Sequence, residues 1–159
     1  MVDTMLALTV YQPWTSLIAY LAKPIEWRGH VYPEHMIGTR IAIHAGARQV
    51  RRDEIAQLLL DLRANGEAGT SLIPEIAIPL LERWHTSPGA LPLSTILCTA
   101  ILGKPIRAAD YARSRGIDND RVDHKKWGWP LTDIEPVIPM APARGQQGFW
   151  SWIPERIND

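Results

Sequence analysis

Stretches in which apolar and polar positions alternate predict strands towards both ends of the chain. The first strand covers residues 5–10 and ends at the turn-forming pair Gln12 and Pro13. Residues 40–45 place Ile41 and Ile43 on one face and His44 on the other, which predicts a half-buried strand. Later strands are predicted at residues 94–102, from 127–131 and at 148–153, whereas the three prolines within residues 135–142 indicate an edge or a loop.

Apolar residues spaced three and four apart predict helices in two other regions. One helix begins at Pro13, because a first helical position needs no N–H, and ends before Pro24. Its apolar face consists of Trp14, Leu17, Ile18 and Leu21. The other region contains one helix at residues 53–64 with Gly66 as its stop, and a second at residues 75–84 that Pro79 is expected to kink.

These elements together predict an α+β fold with several short strands and inserted helices, which suggests a small barrel. A chain of 159 residues is long enough to bury a core, and we expect a single domain that spans residues 1–159. Residues 50–90 are expected to be a helical insertion within that domain, packed against the sheet.

The composition excludes several classes of protein. The 17 basic and 17 acidic residues give a formal net charge of zero, so the chain does not coat nucleic acid through overall charge. The lone cysteine, Cys98, excludes a disulfide framework and a cysteine-rich zinc site, and we expect it to be a buried, inert thiol. No apolar run is long enough for a membrane span and no signal peptide is evident, so we expect a cytoplasmic protein.

The most unusual concentration of polar chemistry lies near the N-terminus. Within an apolar segment, Gln12 and Trp14 are followed by Lys23, Glu26, Trp27 and Arg28. Charges in such a segment are expected to be paired or to face a wet cavity. Aromatic faces beside an amide, an arginine and a Lys–Glu pair suit a planar, hydrogen-bonding ligand, for which a nucleobase is the obvious candidate.

A second polar region, residues 104–126, contains seven basic residues against four aspartates. Tyr111 lies within it and Trp127 follows it, and cations interleaved with aromatic rings are typical of single-strand binding. A solvated surface is the ordinary alternative. If nucleic acid binds here, the expected backbone contacts are Lys104, Arg107, Arg113, Arg115, Arg121, Lys125 and Lys126.

Six motifs in order resemble the ASCH domain family. They are LTVYQPW (residues 8–14), KPIEWR (23–28), IAIHA (41–45), AILG (100–103), WGW (127–129) and GQQGFW (145–150). The resemblance implies a small, partly open PUA-like β-barrel with flanking helices, whose cleft, around Lys23, Glu26 and Arg28, binds RNA or a modified nucleotide. The candidate ligand contacts are Gln12, Trp14, Trp27, Arg28, His44, Trp127 and Trp129, although packing, capping or, for Arg28, pairing with Glu26 is the alternative.

The same resemblance leaves an enzyme open, because some relatives are similar to N4-acylcytidine amidohydrolases and others to ribonucleases. Lys23 and Glu26 are then the candidates for acid–base chemistry, with Asp110 or His44 assisting. Two departures weaken this alternative: the relatives carry a threonine where this chain has Glu26, and Asp110 replaces their further glutamate. We therefore favour binding over catalysis.

No histidine or acid lies at a metal-ligand spacing from His44, so we expect no metal and no cofactor. A third hypothesis is a partner-binding module, in which Leu80, Leu81 and Trp84 of the helical insertion form an apolar interface. The oligomeric state and the identity of the RNA or base stay open.

Overall fold

The structure, a computed structural model, describes residues 3–116 and 125–154 and confirms a mixed α+β fold. Seven strands are formed by β1 (Met5–Val10), β2 (Ile25–Arg28), β3 (Arg40–Ala45), β4 (Thr95–Leu102), β5 (Ile106–Arg107), β6 (Trp127–Pro142) and β7 (Phe149–Trp152). Five α-helices are formed by α1 (Trp14–Ala19), α2 (Arg52–Asn65), α3 (Glu67–Thr70), α4 (Pro74–Thr86) and α5 (Ala108–Ser114). Short 3-10 turns lie at Glu34–Met36 and Pro88–Ala90.

The strands form one sheet in the order β2-β6-β4-β3-β1-β7, with β5 paired to β6. Over the described ranges, the end strands β2 and β7 do not pair with each other, so hydrogen bonds do not close the sheet. Strands β1 and β3 are parallel, with Thr9 opposite His44 and Val10 opposite Ala45. The segments that follow these two strands therefore emerge at the same edge of the sheet, and this edge carries the cleft described below.

The largest apolar cluster of the sheet is built from its β1, β3, β4 and β6 strands. Leu8, Ile41, Ile43, Leu102 and Trp129 are each at most 1% exposed. Strand β3 is buried on both faces, since Ala42 and His44 are covered as well. The prediction of a half-buried strand is wrong here, because the opposite face of β3 packs against β7 residue Trp150 and a loop that follows β6.

The helical region packs on itself and on α1 rather than directly on the sheet. Its cluster combines the inner faces of α2 and α4 with Leu17 and Ala22. Leu81 is fully buried and Trp84 is 7% exposed, while Leu80 is partly buried. The predicted apolar interface of Leu80, Leu81 and Trp84 is therefore wrong, because these side chains already serve the internal core.

Two other predictions are corrected by the backbone. Helix α1 ends at Ala19, so Leu21 is 58% exposed with a positive φ instead of contributing to an apolar face. Pro13 is the residue before the first helical position rather than that position itself.

Residues 135–142 continue strand β6 and pair with β4 on one side, which suits their three prolines.

Cys98 is fully buried in β4, and this burial raises the pKa of its thiol to about 12. No helix among the described residues combines the length and apolar character that crossing a membrane requires.

Helix α2 offers a matched pair of leucines that tests the internal role of the helical cluster. Leu62 is 1% exposed and Leu60 is 61% exposed. We expect Leu62→Ala to lower the free energy of unfolding by about 2–5 kcal/mol, because it leaves a cavity. Leu60→Ala should change it by less than about 0.5 kcal/mol. Urea unfolding followed by circular dichroism measures both, and equal effects would contradict the described packing.

Candidate functional site

A cleft of about 1420 Å³ opens where the segments following β1 and β3 emerge from the sheet. Residues 8–12 and 46–48 line one part of it, and residues 142–149 between β6 and β7 line another. Glu26 and Arg28 from β2 and Trp129 from β6 complete the walls. The cleft thus combines segments that are far apart in the sequence, and its volume is sufficient for a small planar ligand.

Glu26 is the centre of a network of charged groups at the inner end of the cleft. Its Oε2 accepts from Arg28 Nη2 at 2.9 Å and from Arg28 Nε at 3.3 Å. Its Oε1 lies 3.4 Å from Lys23 Nζ and accepts from the Trp27 backbone N–H at 3.2 Å. These four contacts match the roughly four lone-pair positions of a carboxylate, so Glu26 is fully used by the protein itself.

Lys23 lies behind Glu26 and is not among the residues that line the cleft. It is 4% exposed, and its ammonium also donates to the Ile25 carbonyl. Burial lowers the pKa of Lys23 from its usual range, while the Glu26 carboxylate opposes part of that shift. Lys23 and Glu26 form an ion pair, but Lys23 does not line the cleft as expected and contacts it only through Glu26.

Arg28 is the member of this network with donors left over. Its Nε and Nη2 are used by Glu26 and by the Thr9 carbonyl, while no hydrogen bond is formed by Nη1 within the described parts of the chain. The guanidinium also lies 5.6 Å from the centre of the Trp129 ring. Arg28 is therefore held in place by Glu26 and presents free N–H groups beside an aromatic surface.

The aromatic surface is a stack of Trp129 and Phe149, whose ring centres are 5.6 Å apart with planes 8° from parallel. Tyr32 supports both rings edge-on from the core side, at 5.0 and 6.4 Å. The Trp129 indole N–H donates to the His30 carbonyl at 2.9 Å, which fixes the ring. Trp129 is 1% exposed, so the partly buried Phe149 ring is the aromatic face that the stack offers to a ligand, next to the free arginine edge. This combination suits a ligand that stacks and accepts hydrogen bonds.

His44 also lines the cleft, and both of its ring nitrogens have hydrogen-bond partners. Its Nε2 lies 2.6 Å from the Ala143 carbonyl, which can only accept, so Nε2 carries a proton. Its Nδ1 lies 3.1 Å from Thr9 Oγ1, which accepts the Trp150 indole N–H at 3.0 Å. Burial lowers the pKa of His44 and so favours the neutral ring, in which the Thr9 hydroxyl donates to Nδ1.

Of the remaining predicted ligand residues, two line the cleft and two lie outside it. Gln12 lines the cleft, but its amide accepts from the Ser16 N–H at 3.1 Å and donates to the Pro92 carbonyl at 2.8 Å, so it mainly holds α1. Trp14 also lines the cleft and lies 5.5 Å from Lys23 Nζ. Trp27 and Trp127 lie elsewhere, Trp27 against Tyr111 and Trp127 against the Arg107 guanidinium.

The described part of the basic segment, residues 104–116 and 125–126, does not border the cleft. Arg113 is paired with Asp110, Arg115 with Glu67, and Arg107 stacks on Trp127. Asp110 is thus directed to a neighbouring arginine on α5 rather than to the Lys23–Glu26 pair. Lys104, Lys125 and Lys126 are exposed, and Arg121 lies outside the described residues.

Several cleft residues were not predicted from the sequence. Tyr11, His30, Arg48, Arg144 and Phe149 all line it. The GQQGFW motif contained the signal for Phe149 and its loop, but the motif alone does not say that the loop faces Glu26. No three or more metal-binding side chains come together in the described residues, and the arginine-rich lining does not suit a cation.

The sequence matches no protein-family model and no curated protein. The structure is similar to the crystal structure of ASCH from Zymomonas mobilis, with 13% identity and a TM-score of 0.46 over 86% of this chain and 72% of that one. Two single-substitution variants of that protein match with TM-scores of 0.44 and 0.41, again at 13% identity, covering 86% and 82% of this chain and 72% and 70% of theirs. All three carry the ASCH name, which is also the family that the six motifs resemble.

The neutral His44 ring predicts a pH dependence of stability. Burial lowers the pKa of His44, while its contact with the Ala143 carbonyl opposes this. The unfolded chain then binds a proton that the folded chain does not, so the free energy of unfolding should fall as the pH drops below about 6.5. Urea unfolding between pH 7.5 and 5 should show this slope, reduced in His44→Gln and retained in His35→Gln, which alters an exposed histidine.

An NMR titration of the His44 ring in the unmodified protein checks the same point without a mutation. A midpoint at or above the ordinary histidine value would contradict the dominant effect of burial on the pKa of His44.

Proposed function

We propose that the chain is an ASCH-type domain with a partly open, PUA-like sheet, and that its cleft binds the base of RNA or of a modified nucleotide. One observation carries the proposal: Arg28 is fixed by Glu26, retains free N–H donors, and lies against the Trp129–Phe149 stack. A base offers a flat face for the partly buried Phe149 ring, and ring or carbonyl acceptors for the arginine edge. Lys23 and Glu26 act here by positioning Arg28.

The direct test is Arg28→Lys, which keeps the charge but removes the planar fork of donors. We expect the dissociation constant for the bound nucleoside to rise about tenfold, the loss of roughly one charge-assisted hydrogen bond. Tryptophan fluorescence during titration with cytidine, N4-acetylcytidine, uridine, adenosine and guanosine measures it, because Trp129 forms part of the wall.

Arg40→Lys is the matched control. Arg40 is paired with Asp133 and its side chain is 25% exposed, against 27% for Arg28, but it lies outside the cleft. The control should bind like the unmodified protein. The proposal is wrong if no nucleoside or single-stranded RNA binds at low salt, or if both variants lose affinity equally.

A hydrolase acting in the same cleft is the second candidate, and the lowered pKa of buried Lys23 beside Glu26 favours it. Lys23 does not line the cleft, so we expect binding without turnover. The measurement is release of acetate from N4-acetylcytidine and cleavage of labelled single-stranded RNA. Turnover that is lost in both Glu26→Gln and Lys23→Met, but kept in the surface variant Glu75→Gln, would instead establish the hydrolase.

A further inference from the structure

The charges that line the cleft are unbalanced although the chain as a whole is neutral. Among the described residues that line the cleft, three are arginines, Arg28, Arg48 and Arg144, and one is a carboxylate, Glu26. Glu26 is already paired with Arg28 and with Lys23 behind it. The cleft therefore carries a local positive charge and favours an anionic ligand over a neutral one.

Arg144 is the cleft arginine whose charge the protein leaves uncompensated. Arg48 pairs with Glu54 at 2.7 Å, and Arg28 pairs with Glu26 at 2.9 Å. Arg144 is exposed, and no described residue forms an ion pair or hydrogen bond with its side chain. All five of its N–H donors are consequently free for a ligand.

The backbone that carries Arg144 is held on both sides. The Ala143 N–H donates to the Ser94 carbonyl at 3.0 Å, and the Ala143 carbonyl is bonded to His44. Gly145 lies directly on the His44 ring: a Cβ there would be 2.6 Å from the ring Cε1 and 2.7 Å from Thr9 Oγ1. Because this backbone is already fixed, only the Arg144 side chain changes conformation when a ligand binds, and less entropy is lost on binding.

The loop also adds neutral donors beside this cation. Gln146 and Gln147 line the cleft, are exposed, and have no side-chain hydrogen bond among the described residues. A guanidinium flanked by amides matches a phosphate group, which accepts paired N–H bonds from arginine.

We propose that Arg144 is the phosphate-contacting residue of the cleft, so that its ligand is a nucleotide unit and not a free base or nucleoside. The inference rests on the proposed function, in which the base occupies the Arg28 and Trp129 end. The phosphate is either the 5′-monophosphate of a mononucleotide or a phosphodiester of an RNA strand, since both present the same oxygens. This assignment moves the phosphate contacts from residues 104–126 to the loop between β6 and β7.

The test compares affinities for nucleosides, their 5′-monophosphates and single-stranded hexanucleotides of the same base. We expect the unmodified protein to bind the phosphorylated probes about tenfold more tightly than the nucleoside. Arg144→Gln should remove that difference and leave nucleoside affinity unchanged, and it should reduce the salt dependence by about one phosphate contact. Arg83→Gln, which changes an exposed arginine on α4 away from the cleft, should alter neither quantity.

Each outcome separates this inference from the proposal on which it rests. A gain with hexanucleotides alone supports a phosphodiester, and a gain already present with monophosphates supports a mononucleotide phosphate. Nucleoside binding without any gain from phosphate, or equal losses for all probes in Arg144→Gln, overturns the role of Arg144 only. If none of the probes binds, the proposed function fails and this inference fails with it.

Discussion

The cleft depends on one buried carboxylate. Glu26 has a buried ammonium on one side and an arginine on the other, and its remaining acceptor site is used by the next backbone N–H. Removing an ionised group from water is costly unless other groups replace the lost hydration. Here the protein supplies all the replacements, and the same contacts join the end of the α1 segment to β2.

This arrangement separates support from recognition. Lys23 neutralises Glu26 from the core side, Glu26 fixes Arg28, and the Arg28 Nη2 also donates to the Thr9 carbonyl of β1. Lys23, Glu26 and Arg28 therefore form a chain of ionic groups from the interior to the cleft. Of these three, only Arg28 presents unused N–H donors to the cleft. This order of contacts makes Arg28 a preorganised donor, and the buried charges of Lys23 and Glu26 need not contact the ligand.

Local patterns were sufficient to predict much of the fold, but not the surroundings of the cleft. The alternation in residues 40–45 predicted β3 with its observed bounds, and the helical spacing of 53–64 predicted α2 to within one residue at each end. The alternation could not reveal that the polar face of β3 is covered, because Trp150 and Ala143 are about a hundred residues away in the sequence.

The basic segment shows a related difference between the sequence and the fold. Its charge count suggested a surface for nucleic acid, yet Asp110 and Glu67 lie next to Arg113 and Arg115 in space. Arg144 is an isolated cation in the sequence and gave no signal. The charge count along the chain therefore points to Arg113 and Arg115 as free cations. The ion-pair partners among the described residues point to Arg144 instead.

The single thiol has a practical consequence for work on this protein. Cys98 is fully sealed inside β4 and remains protonated far above neutral pH, so it does not react readily with maleimides or iodoacetamide. Two cysteines introduced at exposed positions, one of them in the β6–β7 loop, would then be the sites that take up a pair of dyes or spin labels. Distances between the β6–β7 loop and the rest of the molecule become measurable in solution without first removing the native residue.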